Sequence, residues 1–338
     1  MGYVFNSMKV AVFSTRKYDR KYFDQANELI GHELVYFENL LREETAQLAA
    51  DCECVCAFVN DKLNEQTLAL LAQGKTRLIA MRCAGFNNVD MEAANKHGLT
   101  VVRVPAYSPH AVSEHVIAIL MALYRTTHRS HNRVREGNFS LEGMVGHEVF
   151  GKTVGVIGTG KIGALVAKLF LGFGCKVCAF DMREDEELTR WGVRYTDLDT
   201  IWETCDIISL HCPLLPTTKH LINEDTLAKM KSGVTIINTS RGALIDTAAA
   251  YHALKSGKLG FFGIDVYEEE DNLFFEDLST EIIQDDLFMR LTTFPNVFIT
   301  GHQAFFTDTA LTNIADTTLA NISKFDASGS CANQVLIG

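Results

Sequence analysis

The chain has 338 residues, of which 47% are apolar and 22% charged with only 5 prolines; this excludes disordered, collagen-like and low-complexity classes and leaves enough chain for two domains with sizeable cores. Its 31 Lys and Arg against 42 Asp and Glu give a net charge of -11, and no stretch gathers a basic stripe, so nucleic acid is not an expected partner. The longest apolar run, Val116 to Tyr124, is well short of the roughly 20 residues that cross a bilayer as a helix, and MGYVFNSMKVAVFS lacks the basic start and unbroken apolar core of a signal peptide.

Met8 opens MKVAVFS, so residues 1–7 read as an extension ahead of the first strand. From Lys9 to Val104, strand-like runs alternate with helical ones. KVAVFS precedes a charged segment, ELVYFE precedes Glu43 to Ala50, and CVCAFV precedes Asn64 to Ala72; RLIAMRC then precedes Met91 to His97, and TVVRVP closes the series. This βα repeat favours a mostly parallel sheet with helices on its faces. After Pro105, Ser108-Pro109 suits a helix start, and one helix is expected from Pro109 to Gly137. Val112, Val116, Ile119, Leu120 and Leu123 give it an apolar face, and its arginine-rich second half reads as a solvated end.

A second βα series begins at Lys152 with TVGVIG, a helix over Ala164 to Leu171, KVCAFD, DIISLHCP, VTIINTS, FFGIDVY and NVFITGH. Nine cysteines without an export signal point to a reduced, cytoplasmic setting. Cys52, Cys54 and Cys56 alternate as on one strand face, and the Cys175, Cys178 pair lacks a second ligand pair, so no metal site is expected.

The strand TVGVI runs into Gly158-Thr159-Gly160-Lys161-Ile162-Gly163 and then directly into an apolar helix. Strand, GxGxxG and helix in that order indicate a dinucleotide site. Gly158 permits the tight turn, Gly160 lets a diphosphate approach backbone N–H groups at the helix N-terminus, and Gly163 lets helix and strand pack closely. Asp181, 18 residues after Gly163 at the end of KVCAFD, can accept from both ribose hydroxyls and would repel a 2′-phosphate, which favours NAD over NADP despite nearby Arg183.

Three polar residues follow later strands, where an open α/β sheet places its ligands: Arg241 after VTIINTS, Glu270 after IDVYEE and His302 after NVFITG. Hydride exchange at a hydroxyl-bearing carbon needs a proton carrier, a role that suits His302. Glu270 beside it would orient the ring and supply a charge partner for the imidazolium that protonates a carbonyl oxygen. Arg241 offers a fork of donors matching a carboxylate. A 2-oxo acid meets all three demands.

At these residues the sequence resembles the D-isomer-specific 2-hydroxyacid dehydrogenases. The resemblance runs from Met8 onward through RCAGFNNVD (Arg82 to Asp90), VPAYSPHAVSEH (Val104 to His115), NFSLEG (Asn138 to Gly143), GKTVGVIGTGKIG (Gly151 to Gly163), SLHCPL (Ser209 to Leu214), NTSRGALID (Asn238 to Asp246), DVYEEE (Asp265 to Glu270) and TGHQAF (Thr300 to Phe305). It implies two doubly wound α/β domains: a flavodoxin-like substrate domain of residues 1–105 and 301–338, and a Rossmann NAD domain of residues 106–300. It implies that Arg241 binds substrate, that His302 is the catalytic histidine and that Glu270 is its partner. NAD contacts are implied for Gly158, Gly160, Lys161, Ile162, Gly163, Asp181, Cys212, Pro213, Thr218, Thr239, Ser240, Arg241 and Asp265. Substrate contacts are implied for the backbone of Ala84 and Gly85 and for Tyr107, Phe58 and Phe305, although relatives often have Tyr where Phe58 stands. The segment Leu273 to Met289 resembles lactate-type members, so pyruvate reduced to D-lactate is the expected reaction, with a larger 2-oxo acid (hydroxyisocaproate or phenyllactate type) as the alternative. Formate oxidation is disfavoured because Glu270 would then be glutamine, and a corepressor role is disfavoured because the Arg, Glu and His set is complete. A homodimer or homotetramer, with the Pro109 to Gly137 helix as dimer element, completes the expectations.

Overall fold

The computed structural model describes residues 7–270 and 273–336; most of the extension expected at residues 1–7 lies outside them. The chain divides into two compact units, Met1–Ser108 with Phe306–Gly338, and Pro109–Phe305. The chain passes between them a few residues later than 105 and 300, which assigns His302 and Phe305 to the second unit.

In the first unit, β1 (Lys9–Val12), α1 (Lys17–Asn27), β2 (Glu33–Tyr36), β3 (Cys54–Ala57), α2 (Glu65–Gln73), β4 (Leu78–Met81), α3 (Met91–Lys96) and β5 (Thr100–Arg103) form an all-parallel sheet of order β2-β1-β3-β4-β5. β3 (CVCA) and β4 (LIAM) are apolar and buried at every position, as strands covered on both faces must be. Asn64 and Asp90 start α2 and α3 by accepting from the Thr67 and Ala93 N–H groups. The Glu43 to Ala50 segment, expected as a helix, forms only a 3₁₀ turn at Ala46–Ala49, because only Ala46 and Ala49 of that turn are buried. So short an apolar footprint does not support a longer helix.

The second unit contains α4 (Pro109–Arg125), α5 (Thr127–Arg135), β6 (Thr153–Ile157), α6 (Lys161–Gly172), β7 (Lys176–Phe180), α7 (Glu186–Arg190), β8 (Arg194–Tyr195), α8 (Leu198–Thr204), β9 (Ile207–Leu210), α9 (Glu224–Lys229), β10 (Val234–Asn238), α10 (Thr247–Ser256), β11 (Leu259–Ile264), α11 (Asp286–Thr292) and β12 (Val297–Ile299). Its sheet, again all parallel, has the order β12-β11-β10-β9-β6-β7-β8. The strand order reverses between β6 and β9, and the crevice at the carboxyl ends of such strands is where open α/β sheets take ligands. One face packs Val116, Ile119, Leu120 and Leu123 of α4 with Val166 and Phe170 of α6; the other packs Trp202, Leu227, Leu254 and Leu291. The last helix, α12 (Asp308–Ser328), returns to the first unit and packs on α1 and β4.

The single helix expected from Pro109 to Gly137 is two. Thr126 breaks it in the left-handed region at φ +47°, and the Tyr124 carbonyl accepts from His147 N–H instead of continuing the helical ladder. α5 buries no residue, so nothing holds it in line with α4.

Candidate active site

The turn after β6 has the geometry that a dinucleotide requires. Gly158 sits at φ +90°, and a Cβ there would lie 2.6 Å from the Cys212 backbone nitrogen. A Cβ on Gly163 would lie 1.9 Å from the Gly158 carbonyl oxygen, so only glycine lets α6 start this close to β6. Gly160 occupies the N-cap of α6 with no side-chain cap, and nothing lies within 4 Å of where its Cβ would be. Lys161 and Ile162 open the first turn of α6, where backbone N–H groups and the helix dipole favour an anion.

Asp181, just past β7, accepts from Thr159 N–H at 2.6 Å through Oδ2 and from Arg183 N–H at 3.2 Å through Oδ1. Tyr195 of β8, absent from the sequence reading, donates to Thr159 Oγ1 at 2.9 Å and accepts from Asp185 N–H at 3.0 Å, tying this corner together. A cleft of about 680 Å³ opens beside Thr159, Gly160 and Asp181. Its wall carries Glu184, Asp185, Glu186 and Glu187 against Arg183 and Arg190, an acidic surround that opposes a phosphate group there. Behind the glycine turn, burial holds His211 neutral, down at about 3, with Nε2 2.7 Å from Ser209 Oγ.

Cys212 is buried, Pro213 is exposed, and Thr218 secures their loop by donating to the Pro213 carbonyl at 2.7 Å. Ser240 donates to the Cys212 carbonyl at 2.8 Å, while the buried Oγ1 of neighbouring Thr239 has no partner among the described residues. An orphaned buried hydroxyl is an invitation to a ligand atom.

Arg241 begins a short 3₁₀ turn, Gly242–Leu244, and donates through Nη1 to the Ser240 carbonyl at 2.7 Å. A Cβ on Gly242 would lie 2.1 Å from the Tyr267 backbone, so the Arg241 turn packs directly on the segment that leads to Glu270. Glu270 accepts from Tyr267 N–H at 2.9 Å through Oε2 and meets His302 Nδ1 at 2.8 Å through Oε1. Glu270 and His302 are thus in direct contact, whereas Arg241 is linked to them only through the backbone packing of Gly242 on Tyr267.

His302 holds a φ of +51°, a conformation uncommon outside glycine. Its N–H donates to the Asp265 carbonyl at 2.7 Å, and the Asp265 carboxylate accepts from Thr300 Oγ1 at 2.5 Å, Gln303 N–H at 2.9 Å and Ala304 N–H at 2.8 Å. Asp265, expected along the nicotinamide, is 1% exposed, and its carboxylate holds the loop that carries His302. Sequence reasoning missed His115 of α4, whose Nε2 lies 3.0 Å from Thr300 Oγ1 and 3.4 Å from Asp265 Oδ1. It also missed Phe275, whose ring lies 5.6 Å from the imidazole of His302. A histidine spaced among the apolar positions of an amphipathic helix was the available signal for His115. Phe305 is buried at the end of this loop.

Within the first unit, the bend after β4 carries Ala84 and Gly85. The Ala84 carbonyl accepts from Arg103 Nη1 at 2.8 Å and the Gly85 carbonyl from Cys83 Sγ at 3.2 Å, while neither N–H donates to a group among the described residues. Phe58 is buried with the Arg82 guanidinium 4.6 Å from its ring centre, and its N–H donates to Asp61 Oδ2 at 2.6 Å. Arg82 also donates to the Phe13 and Ser14 carbonyls at 2.9 Å and lies 3.4 Å from Asp19, so Phe58 rests on a fixed buried network. The Tyr107 carbonyl accepts from Asn313 of α12 at 2.6 Å. Among the described residues, no cluster of three His, Cys, Asp or Glu could hold a metal, and no helix is long and apolar enough to cross a membrane.

Residues 117–304 match the family described as D-isomer specific 2-hydroxyacid dehydrogenase, NAD binding domain. The chain belongs to the D-isomer specific 2-hydroxyacid dehydrogenases. The D-lactate dehydrogenase of Escherichia coli is 52% identical over 97% of this chain and 100% of its own. The structure of the pyruvate reductase of Chlamydomonas reinhardtii is 41% identical with a TM-score of 0.93, covering 97% of this chain and 99% of that one. That of a D-lactate dehydrogenase from Aquifex aeolicus, complexed with NAD and lactic acid, is 34% identical with a TM-score of 0.86, covering 98% of this chain and 100% of that one. This 2-hydroxyacid dehydrogenase is therefore an NAD-dependent oxidoreductase of two parallel-sheet α/β domains. Its own residues fit NAD: the glycine turn leaves room that a Cβ would fill, the cleft by Asp181 is acidic, and Thr239 presents a buried, unpaired hydroxyl.

Proposed function

We propose that the chain is a D-lactate dehydrogenase that reduces pyruvate, with His302 as the general acid and, in the reverse direction, the general base. The observation that carries this reading is the Glu270–His302 pair at 2.8 Å on a loop held in a strained conformation by Asp265. Names borne by relatives at 41% to 52% identity support lactate and pyruvate as the substrates.

The cofactor, when bound, would supply a hydride to the substrate carbon as NADH or accept one from it as NAD+. With Nδ1 committed to Glu270, His302 has Nε2 free in valence to donate a proton to the oxygen of the carbonyl as it is reduced, and to take that proton back from lactate. Arg241, whose one hydrogen bond from the guanidinium among the described residues goes to the Ser240 carbonyl, keeps donors for the carboxylate of a 2-oxo acid. The N–H groups of Ala84 and Gly85 and the side chains of Tyr107, Phe58 and Phe305 are assigned to substrate binding. Asp181 receives the adenosine ribose, and Lys161 and Ile162 the diphosphate.

A cytoplasmic setting is part of the proposal; it rests on nine cysteines that are all free thiols. So is a homo-oligomer, which rests on Phe139, Leu141, Val145 and Phe150, between 74% and 91% exposed in the stretch after α5. NADH consumption measured with pyruvate, 2-oxoisocaproate, phenylpyruvate and hydroxypyruvate tests the substrate assignment. Pyruvate is expected to give the highest kcat/KM, and a preference for either bulky acid would replace lactate with the larger class.

A further inference from the structure

Cys178 lies at the middle of a row across the sheet: Gly155 of β6, Cys178 of β7 and Arg194 of β8 are register partners. Neighbouring parallel strands are about 4.8 Å apart, so their side chains on one face stand side by side. Gly155 has no side chain, and the place it leaves is filled from α8. A Cβ built at Gly155 would lie 2.6 Å from Ile201 Cγ2, 3.1 Å from Cys205 Sγ and 3.6 Å from Cys205 Cβ. The glycine therefore seats the Cys205 sulfur against the sheet next to Cys178, and both cysteines belong to the same apolar cluster. From the other side, Arg194 Nη2 lies 3.5 Å from Cys178 Sγ. A groove of about 500 Å³ lined by Cys175, Cys178, Gly192, Arg194 and Thr204 gives a small polar molecule a way in. The CxxC visible in the sequence is not the pair that matters. Cys175 packs in the other cluster and donates to the Val149 carbonyl at 3.3 Å.

We propose that Cys178 and Cys205 are a peroxide-responsive dithiol, with Cys178 as the attacking thiolate and Cys205 as the resolving thiol. The S–H donated by Cys205 and the Arg194 guanidinium outweigh burial and bring the Cys178 thiol below the ordinary thiol range, while the same contact pushes Cys205 up. With hydrogen peroxide, a Cys178 S–O bond forms as the O–O bond breaks; sulfur is oxidised to the sulfenic acid, and the leaving hydroxide takes up a proton as water. The Cys205 sulfur then attacks, an S–S bond forms, the S–O bond breaks, and the second hydroxide leaves as water with the Cys205 proton. The balance is two thiols and one peroxide giving one disulfide and two waters. The pair lies outside the residues assigned above to cofactor and substrate, so this inference stands independently of the lactate reading.

The test treats the fully reduced, folded protein with hydrogen peroxide and maps its cysteines by mass spectrometry. A Cys178–Cys205 linked peptide should appear before Cys331, the cysteine least buried of the nine, is oxidised. In Cys205→Ser, dimedone should instead trap a sulfenic acid at Cys178. Because both cysteines are core groups, Arg194→Ala at an exposed position supplies the arm that does not perturb the core, and it should slow disulfide formation at neutral pH about tenfold or more. Oxidation of Cys331 first, labelling of Cys178 only after urea unfolding, or an unchanged rate in Arg194→Ala would overturn the proposal.

Discussion

At the scale of single residues, the proposed chemistry falls on groups whose surroundings give them one orientation. His302 has its backbone fixed by Asp265 and its ring fixed by Glu270, so its replacement removes a proton carrier without touching the glycine turn. His302→Ala should lower kcat by about 10²- to 10⁴-fold with NADH affinity, read by fluorescence titration, unchanged; near-normal turnover would remove His302 from the mechanism. Arg241→Lys should raise the pyruvate KM and lower kcat, since an ammonium cannot replace the planar fork, and an unaltered pyruvate saturation curve would contradict that role. His211 makes a stability prediction. Its folded value of about 3 lies below the ordinary 6.5, so as pH falls through 6.5 the unfolded chain takes up a proton that the folded chain refuses, and stability is lost. At pH 5 the loss from this one group is about 2 kcal/mol. Urea unfolding at pH 7 and pH 5 should show a smaller difference in His211→Gln than in the parent; equal differences would show that His211 does not titrate in this way. His302, Glu270, Arg241 and Asp181 were legible because each follows a strand end. Asp265 was legible only through the resemblance of DVYEEE to the family, and its buried scaffolding role depends on hydrogen bonds to residues 300–304 that no local pattern encodes.

At the scale of elements, local signals succeeded where burial and pattern agree. The strand–GxGxxG–helix passage reads directly from sequence because each glycine answers a contact a Cβ would violate. The segment from Pro109 to Gly137 misled because α5 continues good helix composition, whereas the break is imposed by the chain returning at Gly146 and His147 onto the Tyr124 carbonyl. A Cβ on Gly146 would approach that carbonyl to 2.6 Å. Thr126 therefore occupies a left-handed position without being glycine or asparagine, and its buried Oγ1 has no partner among the described residues. Thr126→Gly should raise stability by about 0.5–1 kcal/mol in chemical denaturation, because relief of the αL penalty exceeds the added freedom of the unfolded chain. A destabilised Thr126→Gly would mean that the threonine methyl contributes more packing than its backbone strain costs. The two-residue β8 was missed for want of length, although its Arg194 and Tyr195 border both the dithiol pair and the ribose corner.

At the scale of the whole molecule, net charge was a poor guide to ligands. The proposed ligands of this chain of charge -11 are both anions, and the counter-charge proposed for them in the second unit is local: the N-terminus of α6 and Arg241. Length indicated two domains and the βα alternation indicated parallel sheets, but neither shows that α12 returns to the first unit, since that docking is a tertiary choice among amphipathic surfaces. The central claim is that this assembly of residues handles the D-isomer of lactate. It is tested most directly by following NAD reduction with D-lactate and with L-lactate on the same enzyme. Turnover of D-lactate is expected, and none of L-lactate above background; oxidation of L-lactate at a comparable rate, or of neither isomer, would contradict the D-lactate assignment.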